Sequence, residues 1–192
     1  MNLWILTEER PKKNVIEMIV KRISKDYNHG LKISDVSIKP IIEENKFTFT
    51  YEVFGIDLAD FNRILIKIVS GGSSFVDFIV YFEEKEPTIN SNPLYAIEET
   101  KTSDAESRNT GVYQRCSKFV YVNLHYPDCK KIMLYNIRAK DNKKPTETNI
   151  FGTRMLLTLG VEIMGKELDG TIFKKFESID EFIRVKDSMR AA

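Results

Sequence analysis

Apolar residues at Val15, Ile16, Ile19, Val20 and Ile23 recur at helical spacing, and Asn28-His29-Gly30 follows as a stop signal, so the chain is expected to begin with an amphipathic helix. Beyond it Leu31, Ile33 and Val36 alternate weakly. Phe47, Phe49, Tyr51 and Val53 alternate cleanly with polar neighbours, and Glu43-Glu44-Asn45 marks a turn between two strands of a hairpin. The Ile-rich stretch 63–69, the breaker Gly71-Gly72-Ser73-Ser74 and the apolar stretch 75–82 predict a second hairpin in a buried sheet, with Asp77 inside its second strand. The turn-rich stretch 83–93 then leads into a strand over residues 94–102, near whose end lie Glu99 and Lys101.

Ser103 or Asp104 is placed to cap a further helix that buries Val112, Cys116, Phe119 and Val120, although Gly111 weakens its early part. A strand over 131–137, a helix over 151–159 and a hairpin around Asp169-Gly170 follow. Ser178-Ile179-Asp180-Glu181 has the form of a capping box and opens a closing helix. The pattern predicts a mixed α/β domain, a central mixed sheet flanked by helices. No repeat or linker interrupts it, so residues 1–192 read as one domain with a core over about 14–137 and an α/β extension over about 146–192.

The 192 residues are 42% hydrophobic and 30% charged, the composition of a soluble globular protein with a sizeable core. The start, residues 1–6, runs at once into Thr7-Glu8-Glu9-Arg10-Pro11-Lys12-Lys13, unlike a signal peptide, and no apolar run reaches the length of a membrane span. Cys116 and Cys129 form no CxxC pair, and they are expected to be free thiols in a reducing cytoplasm. A net charge of +1 is low for a protein that grips duplex DNA by itself. Either the positive charge is concentrated on one face or a partner supplies the affinity. The densest basic run is Lys130, Lys131, Arg138, Lys140, Lys143 and Lys144, diluted by Asp128 and Asp141, and such a run also reads as a solvated surface.

Side chains in a strand alternate faces, so Glu99 and Lys101 project to one side, while Glu98 and Thr100 point to the other. Pairing of 75–82 with this strand would bring Asp77 level with Glu99 and set two carboxylates beside one ammonium group. Hard oxygen ligands of this kind bind Mg²⁺, which suits phosphodiester hydrolysis, and the lysine adds a charge near the attacking water and the phosphate. Asp77, with apolar Phe75-Val76 and Phe78-Ile79 around it, would be costly to ionise without a metal or partner. The plain alternative is a charged strand end at Glu98, Glu99 and Lys101, with Asp77 near it by chance.

Val76-Asp77, a loop, and Glu99-Thr100-Lys101 resemble the motif of the PD-(D/E)XK restriction-endonuclease superfamily, with Val76 in place of the proline. The resemblance, in helix, strand, strand, strand, helix, strand order, covers residues 14–137. It implies a restriction-endonuclease-like core, Asp77 and Glu99 as Mg²⁺ ligands, the Thr100 carbonyl as a further ligand and Lys101 as the positioning lysine. The run from Glu99 through Tyr113-Gln114-Arg115 resembles type IIS restriction enzymes, and the resemblance implies Gln114 as an active-site neighbour; Gln114 and Arg115 also read as plain surface residues of a helix. His125 with Asp128 and Cys129 makes a poor zinc site, Glu17 reads as an exposed helical glutamate, and Asp57 and Asp60 as residues of a loop or helix start.

The chain carries no helix-turn-helix or zinc module for recognising a site. It therefore resembles the small, cleavage subunit of a heterodimeric type IIS restriction endonuclease, which implies double-stranded DNA as substrate and a larger, site-recognising nicking subunit as partner. A self-sufficient homodimeric resolvase or repair nuclease, and a silent nuclease-like domain that binds DNA or a partner, are the alternatives.

Overall fold

The computed structural model describes residues 1–44, 46–69, 76–99, 111–136, 147–166, 172–178, 180–181 and 184. The chain divides into two compact units, Met1–Tyr95 and Ala96–Ala192.

In the first unit, β1 (Asn2–Thr7), α1 (Lys13–Tyr27), β2 (Leu31–Glu43), β3 (Lys46–Leu58), β4 (Arg63–Ile68) and β5 (Phe78–Glu83) follow in chain order. The strands lie side by side as β2-β3-β4-β1-β5. β2 and β3 form the expected antiparallel hairpin, from Leu31 opposite Leu58 to Glu43 opposite Lys46. α1 buries Val15, Ile16, Met18, Ile19, Val20 and Ile23 and ends at Asn28, whose left-handed backbone (φ 55°) suits a residue that tolerates that region. His29 continues the cap by donating its N–H to the Ser24 carbonyl at 3.1 Å.

The expected second hairpin does not form. β1, left without an assigned element by the sequence pattern, inserts between β4 and β5, parallel to the first (Trp4 opposite Leu65) and antiparallel to the second (Trp4 opposite Tyr81). Leu3, Trp4 and Ile5 are all buried, because a strand covered on both faces needs no polar alternation. The β1–β5 register ends with Thr7 opposite Phe78. Asp77 therefore lies in a bend one residue ahead of β5, not inside the strand as expected. After β5 the chain turns back, and the Leu94 N–H donates to the Val80 carbonyl at 2.8 Å. Tyr95, which opens the next strand, donates its hydroxyl to Asp26 Oδ2 at 2.8 Å, where Arg22 also binds at 2.9 Å. Burial, then the adjacent Asp26 carboxylate, push the Tyr95 phenol above its ordinary pKa.

The second unit holds the rest of β6 (Tyr95–Glu99), α2 (Gly111–His125), β7 (Lys130–Asn136), α3 (Glu147–Thr158), β8 (Glu162–Lys166) and β9 (Ile172–Phe176), its strands ordered β6-β7-β8-β9. β7 and β8 are parallel, joined through α3, and β8 and β9 make the expected antiparallel hairpin. Val112, Cys116 and Phe119 of α2 pack in one core with Met133, Leu156, Ile163 and Phe176. The buried stripe of α2 continues through Val122, whereas Val120 is exposed, contrary to expectation. α3 closes in a Schellman arrangement: Val161 N–H donates to the Leu156 carbonyl at 2.9 Å and Gly160 N–H to that of Leu157 at 3.0 Å. The capping box forms with a shift of one residue: Glu181 N–H donates to Ser178 Oγ at 3.2 Å, and the Glu181 carboxylate accepts from the Glu177 N–H at 2.9 Å.

The protein is thus mixed α/β, with mostly antiparallel strand pairs and three helices among the described residues. Five strands lie between α1 and α2 in the chain, where the resemblance implies three. No helix among the described residues is long and apolar enough to cross a membrane.

Both cysteines are buried free thiols. Burial pushes the Cys129 pKa up to about 12, slightly offset by Lys131, and raises that of Cys116. Little thiolate then exists at neutral pH. Iodoacetamide at pH 8 is expected to leave both thiols unmodified in the native chain and to label both in urea, as read by intact mass. Because the folded pKa values exceed the unfolded ones, the stabilisation they report is complete below about pH 8.5 and is lost as the pH rises through the folded values.

Candidate functional site

The expected site residues fall in different parts of the chain. Asp77, in the first unit, is half-buried between the buried Val76 and Phe78. Glu99 ends β6 in the second unit and is also half-buried. Thr100 and Lys101 lie outside the described residues, as do Ser103, Asp104, Arg138, Lys140, Lys143 and Lys144. Gln114 belongs to the first turn of α2, and its side chain lies outside the described residues.

Around Glu99 the second unit builds a charged cluster. β6 is buried through Tyr95, Ala96, Ile97 and Glu98, and Glu98 shares the face of Ala96 by strand alternation. The Glu98 side chain is only 3% exposed, and its Oε1 accepts a bond from Lys118 Nζ at 2.6 Å. Arg115 Nε lies 3.6 Å from the same oxygen, and Arg115 Nη2 donates to the Glu99 main-chain carbonyl at 3.2 Å. Arg115 and Lys118 are three apart on α2 and so share a helix face. Arg115 is therefore not the surface residue that helical position alone allows: its side chain is 17% exposed and engaged with the strand end. The sequence signal for this cluster was a lone Glu at the buried phase of an apolar strand, with two cations at i, i+3 on the next helix.

Removing one partner from a buried ion pair leaves a charge unsolvated and costs more than the pair contributes. Lys118→Met is expected to destabilise the second unit by roughly 1–3 kcal/mol, with Arg115 still close to Glu98. Urea unfolding followed by circular dichroism measures it.

Other residues resolve more simply. Lys131, from the densest basic run, is 9% exposed and donates to Asn123 Oδ1 at 2.8 Å, so it is held in the structure and not presented to solvent. The His125 ring lies against that of Tyr121 in a tilted arrangement, 4.3 Å between centroids and 37° between planes. Glu17 lies on α1 and pairs with Lys21 one turn on at 3.3 Å, but it is half-buried and not the exposed glutamate expected. Asp57 lies in β3, correcting its placement in a loop or helix start, and Asp60 in the following turn meets His29 Nδ1 at 2.7 Å. A cleft of about 310 Å³ in the first unit is lined by Glu52, Phe54, Asp57, Phe61 and Arg63 among others, and contains none of the expected site residues. Within it Arg63 forks onto Glu52 at 2.9 and 2.7 Å, and this bond holds the Glu52 carboxyl below its ordinary pKa.

Asp77 and Glu99, each in its own unit, are half-buried carboxylates, the donor type that hard divalent cations take. Among the described residues no group of three or more His, Cys, Asp or Glu side chains is placed to hold a metal ion. No protein-family profile, curated protein or solved structure matches the chain.

Proposed function

We propose that the chain is a Mg²⁺-dependent endodeoxyribonuclease of the PD-(D/E)XK type that cuts one DNA strand, as the cleavage subunit of a heterodimeric type IIS restriction endonuclease. The observation that carries this reading is the division of labour at the end of β6. Glu98 is buried against Lys118 and Arg115, which leaves Glu99 as the part-exposed carboxylate, with Lys101 two residues further on. The resemblance of Val76-Asp77 and Glu99-Thr100-Lys101 to the nuclease motif supplies the rest.

In this reading Asp77, Glu99 and the Thr100 carbonyl hold the ion. When bound, Mg²⁺ supplies Lewis-acid polarisation of the scissile phosphate and a lower pKa for coordinated water. Lys101 orients the attacking water and stabilises the added negative charge at phosphorus, and the resemblance makes Gln114 of α2 an active-site neighbour. The net charge of +1 fits a chain whose partner provides most of the DNA affinity.

With Mg²⁺, the purified chain is expected to leave supercoiled plasmid intact, and addition of a larger, site-specific nicking subunit to convert nicked plasmid to linear. Asp77→Ala and Glu99→Ala should each stop at the nicked form. Sequence-specific cutting by the isolated chain would refute the subunit role, and full linearisation by both variants would refute the assigned site. Selective cutting of branched DNA by the chain alone would instead indicate a self-sufficient resolvase.

A further inference from the structure

Resting on the proposed nuclease reading, we infer that Arg115 is a positioning residue for the metal-holding carboxylate Glu99. It is the described side chain that bridges α2 to both kinds of atom at the end of β6. Its guanidinium reaches the Glu98 carboxylate with Nε at 3.6 Å and the Glu99 main-chain carbonyl with Nη2 at 3.2 Å. A planar guanidinium that donates Nη2 to the Glu99 carbonyl while lying within ion-pair distance of the Glu98 carboxylate fixes direction as well as distance at the carbonyl, which a point charge on a flexible stem does not. The carbonyl it holds belongs to Glu99 itself, so the bond restrains the backbone of Glu99 at the end of β6.

Glu98 completes the device. A carboxylate 3% exposed in an apolar strand is a costly choice, and a hydrophobic side chain would fill that place at lower desolvation cost. What Glu98 adds is a directional anchor: with Lys118 at 2.6 Å and Arg115 on the same oxygen, a shift of β6 along α2 would break the cluster. Side chains that orient metal ligands without touching the ion typically change metal affinity about 10–100-fold when removed. Arg115 acts on Glu99 through its backbone, and Lys118 acts on the neighbouring side chain.

The test uses Mn²⁺ as the probe, counted as free ion by electron paramagnetic resonance, on the purified full-length chain. Arg115→Met, which keeps the apolar stem, is expected to weaken Mn²⁺ binding about 10–100-fold, and Arg115→Lys to recover part of it. Lys118→Met is expected to lower unfolding stability comparably while changing Mn²⁺ affinity less. Amide hydrogen exchange over residues 96–99 should rise more in Arg115→Met than in Lys118→Met. Wild-type Mn²⁺ affinity in Arg115→Met, with binding lost in Glu99→Ala, would overturn the positioning role alone. Equal weakening in Arg115→Met and Lys118→Met, in proportion to lost stability, would reduce the cluster to a structural one and likewise overturn it. Mn²⁺ binding in Glu99→Ala as tight as in wild type would overturn the nuclease site itself, and this inference with it.

Discussion

Lys101→Ala is expected to abolish second-strand cleavage, by at least about 100-fold, while the chain stays folded and binds its partner. Under the proposed mechanism the lysine supplies positive charge where negative charge develops at phosphorus, an interaction stronger in the transition state than in the ground state. Its loss should therefore fall on the cleavage rate with little change in DNA affinity. Single-turnover conversion of nicked to linear plasmid, with the partner saturating, separates the two. Arginine in its place should restore charge but not activity, since its wider guanidinium cannot occupy the volume of an ammonium beside the attacking water. An undiminished single-turnover rate in Lys101→Ala would remove the lysine from the chemistry.

The largest structural effect is expected from Gly55→Ala. Gly55 sits in β3 at φ +83°, in the region that disfavours any side chain, and opposite it the β2–β3 register slips between Ile33 and Ser37. A Cβ there would lie 2.2 Å from the Asp35 carbonyl oxygen and 2.7 Å from its carbon, both backbone atoms of the paired strand. Neither can rotate away as a side chain would. The hairpin would have to open or shift, at a cost of roughly 2–4 kcal/mol. Gly160 provides the comparison, because it has φ +70° but nothing within 4 Å of its Cβ position. Gly160→Ala should cost only the backbone term, about 1 kcal/mol. Urea titration of both variants measures the difference, and equal costs would show that the contact with Asp35 relaxes freely.

Local pattern made much of this fold legible. The helical stripe from Val15 to Ile23, the β2–β3 hairpin and the hairpin after Lys166 each follow from residues near one another in the chain and formed as expected. The alternation of Phe47 to Val53 did not set a buried face, since Phe47 and Phe49 are exposed, Phe49 has φ 56°, and Thr50 is buried. The misplaced elements share a different cause. Gly71-Gly72-Ser73-Ser74 read as the turn of a hairpin, yet the place beside β4 is taken by β1, 61 residues earlier in the chain, with Asn2 opposite Arg63. No local signal encodes such a pairing, and a strand buried on both faces has no period to betray it. Asp77 consequently begins where β1 ends, at the entrance of β5.

At the candidate site, period-two alternation alone separated Glu98 from Glu99, whereas β6 is buried on both faces from Tyr95 to Glu98. The identities of Asp77, Glu99, Thr100, Lys101 and Gln114 as site residues rest on the motif, a property of the sequence. What surrounds them does not. Charge runs look alike in sequence whether they are solvated or buried, so Lys131 passed as a surface cation until Asn123 supplied a partner, and Arg115 as a helix surface residue until β6 was laid against its face. The sequence by itself determined most of the elements, though not β1, and the candidate chemistry, because these depend on neighbours one to four residues away. Only the tertiary structure decided that β1 divides β4 from β5 and that Glu98 is held by Lys118 and Arg115, because those contacts depend on desolvation and pairing between distant segments.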